Sequence, residues 1–271
     1  MFRISCFADE ISPSIKEQIR VMKELNLHYV ELRSIDNKNV LDFTDEEAKA
    51  YKKEFEENDI YISSIGSPIG KVDIDSDFDE YLKKFKRSLE LAHIFNTKYI
   101  RIFSFYHKDK SLDECRCEVM KRLSAMTKLA KEEGIILCHE NEANIYGELG
   151  DRCMDILETI NDPNLRAVID PSNYVVAHEH PFEQLKKVHQ YIEYMHVKDS
   201  IFDGEIVPAG KGDGDMKMVV DFLRYHKDMF ATLEPHLKYA GSMKGFSGEE
   251  LFKMAHKALV DLLNELNIEY R

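Results

Sequence analysis

The sequence predicts a single (β/α)8 barrel spanning residues 1–271. Three observations predict it. Eight short β-branched or aromatic runs recur at intervals of roughly 25 to 40 residues. Helical patterns rich in Lys, Glu and Leu fill the intervals. A chain of 271 residues that is 44% hydrophobic has the apolar material for one such core and shows no inserted domain, low-complexity tract or long linker. An open doubly wound sheet would have about five or six strands, so eight units favour closure.

In chain order the expected strands are Phe2 to Phe7, Tyr29 to Arg33, Ile60 to Ile65, Tyr99 to Phe103, Ile135 to Glu140, Ala167 to Asp170, Tyr194 to Lys198 and Phe230 to Glu234. Expected helices include Ser14 to Leu25, Thr44 to Asn58, Asp79 to Phe95, Leu112 to Glu133 and the amphipathic Gly248 to Glu265. Thr44 followed by Glu47 is a capping box, and Gly134 ends the helix before the fifth strand.

Composition narrows the function. The formal net charge of −13 opposes a nucleic-acid partner, because gripping phosphates takes Lys and Arg. No apolar run approaches the roughly 20 residues that span a bilayer, and Met1 to Glu10 contains Asp9 and Glu10 rather than a basic leader, so a cytoplasmic protein is expected. Five scattered cysteines, an odd number, read as reduced thiols. The outer helices could support a homo-oligomer, yet no stripe marks an interface.

Barrel active sites lie at the carboxyl ends of the strands, so strands that end in inward polar residues carry the information. The last four strands do so, at Glu140, Asp170, His196 and Glu234. Alternation places Ile136, Cys138 and Glu140 on one strand face, with Val168 and Asp170, Tyr194, His196 and Lys198, and Phe230, Thr232, Glu234 and His236 as the matching sets. Three buried carboxylates would be costly alone, whereas three carboxylates and an imidazole around one divalent cation neutralise one another. Oxygen-rich ligation with a single imidazole suits manganese first, with magnesium, cobalt and zinc as the other candidates.

The chain resembles the xylose-isomerase-like TIM barrels, which include sugar and sugar-phosphate isomerases and epimerases and, more remotely, zinc endonucleases for abasic DNA. The motifs that carry the resemblance are His139-Glu-Asn-Glu142, Asp170-Pro-Ser-Asn173, His196-Val-Lys-Asp199, Gly210-Lys-Gly-Asp-Gly214 and Leu233-Glu-Pro-His236. The resemblance implies that Glu140, Asp170, His196 and Glu234 bind the metal and that Glu140 and Glu234 also transfer protons. It implies a small carbohydrate substrate and proton abstraction beside a carbonyl through a metal-stabilised enediolate. The residue three after the sixth-strand aspartate is often histidine in the family; here it is Asn173, which can orient a hydroxyl but does not titrate.

Lys198, His236, Arg101 and Glu31 share the inward parity and are expected to touch substrate, with an internal ion pair as the competing role for Glu31, Arg33 and Arg101. His139 has the opposite parity and is expected between strand and helix. The glycine-rich loop after strand seven, with Lys211, is a candidate phosphate site, with a mobile lid or a plain turn as the alternatives. Gly241 to Gly248, with Lys244 and Phe246, is a second such loop.

The leading expectation is therefore a metal-dependent sugar or sugar-phosphate isomerase or epimerase. A dehydratase of an inosose-type ketone would use the same site. An abasic-site endonuclease would need further histidines on strands two to four, where Arg33, Ser67 and Ser104 stand instead. A sugar-binding barrel without turnover would not need both glutamates.

Overall fold

The computed structural model describes residues 1–271. Eight parallel strands alternate with helices: β1 (Phe2–Cys6), β2 (Tyr29–Leu32), β3 (Tyr61–Ile65), β4 (Tyr99–Ile102), β5 (Ile136–Glu140), β6 (Leu165–Ile169), β7 (Ile192–Val197) and β8 (Met229–Leu233). Each lies within a residue or two of its expected position. Hydrogen bonding runs in the order β1-β8-β7-β6-β5-β4-β3-β2, which nearly closes the ring. The seam between β1 and β2 has no hydrogen-bonded ladder.

The outer layer contains α1 (Ile15–Glu24), α2 (Asp45–Glu56), α3 (Phe78–Ile94), α4 (Leu112–Glu132), α5 (Gly150–Ile160), α6 (Pro171–Val176), α7 (Pro181–Val188), α8 (Met216–Leu223) and α9 (Gly248–Glu265). The Thr44 and Glu47 capping box forms at the start of α2, and Gly134, at φ +68°, turns the chain out of α4 as expected. No helix is long and apolar enough to cross a membrane.

Strand alternation builds two cores. Outward residues such as Ile4, Leu32, Ile100, Leu137, Ile169, Val197 and Leu233 join the main cluster under the helices. Inward residues make a separate cluster of Cys138, Val168, Tyr194 and Phe230 with Tyr29, Tyr99 and Ile136, which fills the lower barrel. Tyr29 stacks edge-on against Phe230 at 5.1 Å, and Tyr99 lies 6.2 Å from Tyr194. Arg3 covers this cluster from the amino end, over the Phe230 ring at 4.3 Å, and the acidic side chains on the same strand faces lie toward the carboxyl ends.

The open seam is clamped at its top by charge. Arg33, just past β2, meets Asp9 at 2.8 Å and Glu10 at 3.4 Å, both on the turn after β1, and Ser34 Oγ donates to Asp9 at 3.2 Å.

Candidate metal centre

Glu140 is the last residue of β5, Asp170 and Glu234 follow β6 and β8, and His196 lies within β7. All four side chains are at most 4% exposed. One potential ligand atom from each falls within 4.8 Å of all the others. His196 Nδ1 lies 3.0 Å from Glu234 Oε2, 3.2 Å from Glu140 Oε1 and 4.0 Å from Asp170 Oδ2.

Each of these four residues also carries a buried atom without a hydrogen-bond partner: Glu140 Oε2, Asp170 Oδ2, His196 Nδ1 and Glu234 Oε2. Asp170 Oδ2 does lie 2.6 Å from Lys198 Nζ, but at an angle that makes no hydrogen bond. Buried polar atoms are nearly always satisfied, so one such atom left over on each of four neighbouring residues fits a shared cation. The donor set, three carboxylates and one imidazole, is that of a hard or borderline divalent metal.

Neighbouring side chains orient these four residues. Asp170 caps α6 by accepting the Asn173 N–H on Oδ1 at 3.0 Å, which turns Oδ2 toward the cluster. Asn173 Nδ2 donates to Glu140 Oε1 at 3.2 Å and to the Asn141 carbonyl at 2.8 Å. Arg101 Nη1 lies 3.3 Å from Glu140 Oε2 and 3.7 Å from Glu234 Oε1, while Nη2 donates to the Gly66 carbonyl at 3.2 Å. Phe7 packs edge-on against His196 at 5.3 Å and beneath the Arg33 guanidinium at 4.5 Å.

The electrostatics follow from the crowding of charge. Burial opposes ionisation of Glu140, but His196 and Arg101 outweigh it and hold the carboxyl at about 2. Burial also opposes charge on Glu234, and Lys198 and His196 hold it well below the usual range. For Asp170 burial wins over the pull of Lys198, and the carboxyl rises to about 7. His196 is penalised by burial yet driven well above its ordinary value by Glu140, Glu31 and Glu234.

Of the supporting residues, Glu31 faces inward as parity foretold and His236 does not follow it. Glu31 is fully buried, accepts the Tyr194 hydroxyl at 2.9 Å and meets His196 Nε2 at 3.3 Å. It stands behind the imidazole, in the internal charge pairing named as its competing role. His236 does not continue the strand. Its backbone is left-handed at φ 48°, its N–H donates to Glu10 Oε2 at 2.8 Å, and Nε2 lies 3.3 Å from Glu10 Oε1 and 3.5 Å from Glu234 Oε1. Burial, with Lys198 and Arg33 nearby, lowers it to about 3 despite Glu234, so it is a neutral imidazole.

The glycine loop departs furthest from expectation. The N–H groups of Gly210, Gly212 and Gly214 converge at 2.8, 3.0 and 2.9 Å on the carboxylate of Asp199, which also accepts the Ser200 N–H. The anion nest exists, but the chain fills it itself. A Cβ on Gly212 or Gly214 would come within 2.5 Å of Asp199 Oδ1, so the glycines are required by that anchor. Lys211 is exposed in a groove beside Lys257 and Asp261 of α9, away from the four ligands. Arg33 was legible as an inward charge, but its grip on Glu234 Oε1 at 3.0 Å was not, because the β1–β2 clamp sets it.

Residues 19–257 match the family described as Xylose isomerase-like TIM barrel. The chain belongs to this family. No curated protein matches the sequence significantly. Among solved structures, this xylose isomerase-like barrel is similar to the probable 3-DHS dehydratase AsbF involved in petrobactin synthesis from Bacillus anthracis, with a TM-score of 0.79 at 18% identity over 96% of this chain and 99% of that one. It is similar to the IOLI protein with a bound zinc atom, with a TM-score of 0.79 at 16% identity over 98% and 99%. It is also similar to an L-ribulose 3-epimerase, with a TM-score of 0.75 at 14% identity over 98% and 96%. At these identities the likeness shows the shared fold.

Proposed function

We propose that this barrel is a divalent-metal-dependent sugar or sugar-phosphate isomerase or epimerase, with Glu140, Asp170, His196 and Glu234 as the metal ligands. The observation that carries the reading is that one ligand atom from each of these four buried residues lies within 4.8 Å of all the others, while each residue keeps a buried polar atom without a hydrogen-bond partner. Manganese is the first candidate, with magnesium, cobalt and zinc behind it. The bound cation would polarise a substrate carbonyl and acidify the adjacent C–H bond.

The chain's own residues supply the rest. Glu140 and Glu234 leave strands five and eight, on different sides of the ring, so a carboxylate oxygen of one can take a proton from one face of the substrate and the other can return it. Lys198, 6% exposed and fully charged beside Asp170, offers N–H donors to a substrate oxygen, as does the Asn173 amide. The neutral His236 ring and the Arg101 guanidinium line the same rim. Glu31 keeps the imidazole of His196 turned so that Nδ1 faces the other ligands.

Removal of the same proton followed by loss of a β-hydroxyl would make the enzyme a dehydratase, and the likeness to a probable dehydratase supports keeping that reaction on the panel. The test combines elemental analysis of the purified protein with incubation on ketoses, aldoses, their phosphates and inosose in deuterated water. About one equivalent of metal, and deuterium incorporated at the carbon next to a carbonyl, would support the reading. Metal-free protein with full activity would overturn it. An unsaturated product in place of an isomer would assign elimination.

A further inference from the structure

A groove lies outside the four-residue cluster, on the same carboxyl face of the barrel. It has a volume of about 470 Å³ and runs between the loop after β2, the loop after β3 and the first turns of α3. Four cations line it, Lys71, Lys83, Lys84 and Arg87, against one carboxylate, Asp42. In a chain of net charge −13 that is a local inversion of sign.

The cations differ in how they are used. Lys83 pairs with Glu80 at 2.7 Å, Arg87 with Asp45 at 2.7 Å and Glu90 at 2.8 Å, and Lys71 with Glu142 at 2.7 Å. Such exposed pairs are worth about 0–1 kcal/mol and exchange partners readily. Lys84 is exposed with no carboxylate within 4 Å. Arg87 is held in place by the Phe43 carbonyl at 2.7 Å.

The neutral polar groups of the wall are also donors. Tyr81 OH accepts the Gly70 N–H at 2.6 Å and keeps its own proton to give. Asn39 spends its side-chain oxygen on the Leu41 N–H at 3.0 Å, which leaves its NH2 group free. Leu41, Pro68 and Val72 complete an apolar floor. A wall made of cations and N–H or O–H donors over a short apolar floor matches an oxygen-rich anion with a small carbon body.

We propose that this groove is a binding subsite for an anionic small molecule, a phosphate monoester or a carboxylate, gripped at its charged end by Lys84, Lys71 and Arg87. The glycine loop after β7 has no vacancy for such a group, since Asp199 occupies its N–H nest. Lys71 joins the groove to the barrel mouth, because its partner Glu142 stands two residues beyond the ligand Glu140. The anion can therefore be the tail of a substrate that reaches the centre, a role resting on the function proposed above, or a separate effector.

Binding is read first, by calorimetry on metal-depleted protein with inorganic phosphate and with pyrophosphate as probes. Saturable binding that weakens at least tenfold in Lys84→Glu, but not in Lys257→Glu on the far helix α9, supports the subsite. Absence of saturable binding overturns it, as does equal weakening by both variants, which would mark a bulk charge effect. Kinetics then separate the sources. In Lys84→Glu, a KM raised at least tenfold for a phosphorylated ketose with the neutral ketose unchanged assigns a substrate tail. Phosphate altering turnover of a neutral ketose in the wild type but not in the variant assigns an effector. If no sugar is turned over while phosphate still binds through Lys84, the isomerase reading fails and the subsite stands.

Discussion

Glu31 Oε2 stands 3.3 Å from His196 Nε2, on the opposite side of the imidazole from Glu140, Asp170 and Glu234. A carboxylate that accepts the Nε2 proton leaves the Nδ1 lone pair facing the other ligands. Glu31→Gln keeps the size and removes the charge. Metal affinity is expected to fall about 10- to 100-fold with the barrel still folded, and a metal titration followed by circular dichroism checks both. Unchanged affinity would remove Glu31 from the centre.

His196→Ala and Asp170→Ala are expected to lose metal first and turnover as a consequence. Elemental analysis that finds full occupancy in both would refute their place as ligands.

Glu140→Gln and Glu234→Gln should lower kcat by about 10²- to 10⁴-fold, the usual contribution of a positioned acid or base. Deuterium exchange at the substrate carbon should fall with it. A variant that keeps native kcat would take that glutamate out of the proton transfer.

Asp199→Asn should loosen the loop after β7. The carboxylate serves four N–H groups from a buried position, and trading it for an amide, with one acceptor fewer and no charge, costs about 1–3 kcal/mol. Chemical denaturation measures the loss, and limited proteolysis between residues 200 and 214 locates it.

His139, next to Glu140 in the chain but on the other face of β5, provides a pH test of stability. Burial lowers it to about 4, outweighing the opposite pull of Glu140, so the folded protein holds it neutral where the unfolded chain would protonate it. Its effect on stability is absent above the unfolded value of 6.5, grows as pH falls through the window down to about 4, and then levels off. His139→Gln should therefore be less acid-sensitive than the wild type by about 3 kcal/mol across that window, read as the difference between two denaturation series. Parallel curves would refute it.

Much of this was legible in the chain. Periodicity located all eight barrel strands to within a residue or two, because a strand that packs on both faces must spend its residues on β-branched and aromatic types. Parity then separated the inward set from the outward one, so Cys138, Val168, Tyr194 and Phe230 share the barrel interior as the alternation requires. The same rule put Glu140, Asp170, His196 and Glu234 on one rim, since each stands on the inward face at or near the carboxyl end of its strand. Parity failed where the chain leaves the strand. His236 turns left-handed three residues after β8 ends at Leu233, so its side chain does not follow the pleat, whereas Arg33 points inward and also reaches across the seam to Asp9.

The sequence by itself determined the elements, their order, and which residues rise to the mouth of the barrel, because these depend on local periods and on the cost of burying charge. Only the tertiary structure decided how the charges pair: that Glu31 backs His196, that Asp199 fills the glycine nest, and that Lys71, Lys84 and Arg87 line one groove. Those pairings join residues far apart in the chain across a few ångströms of low-dielectric space. Coulomb energies at that range depend on distances that no spacing along the chain encodes.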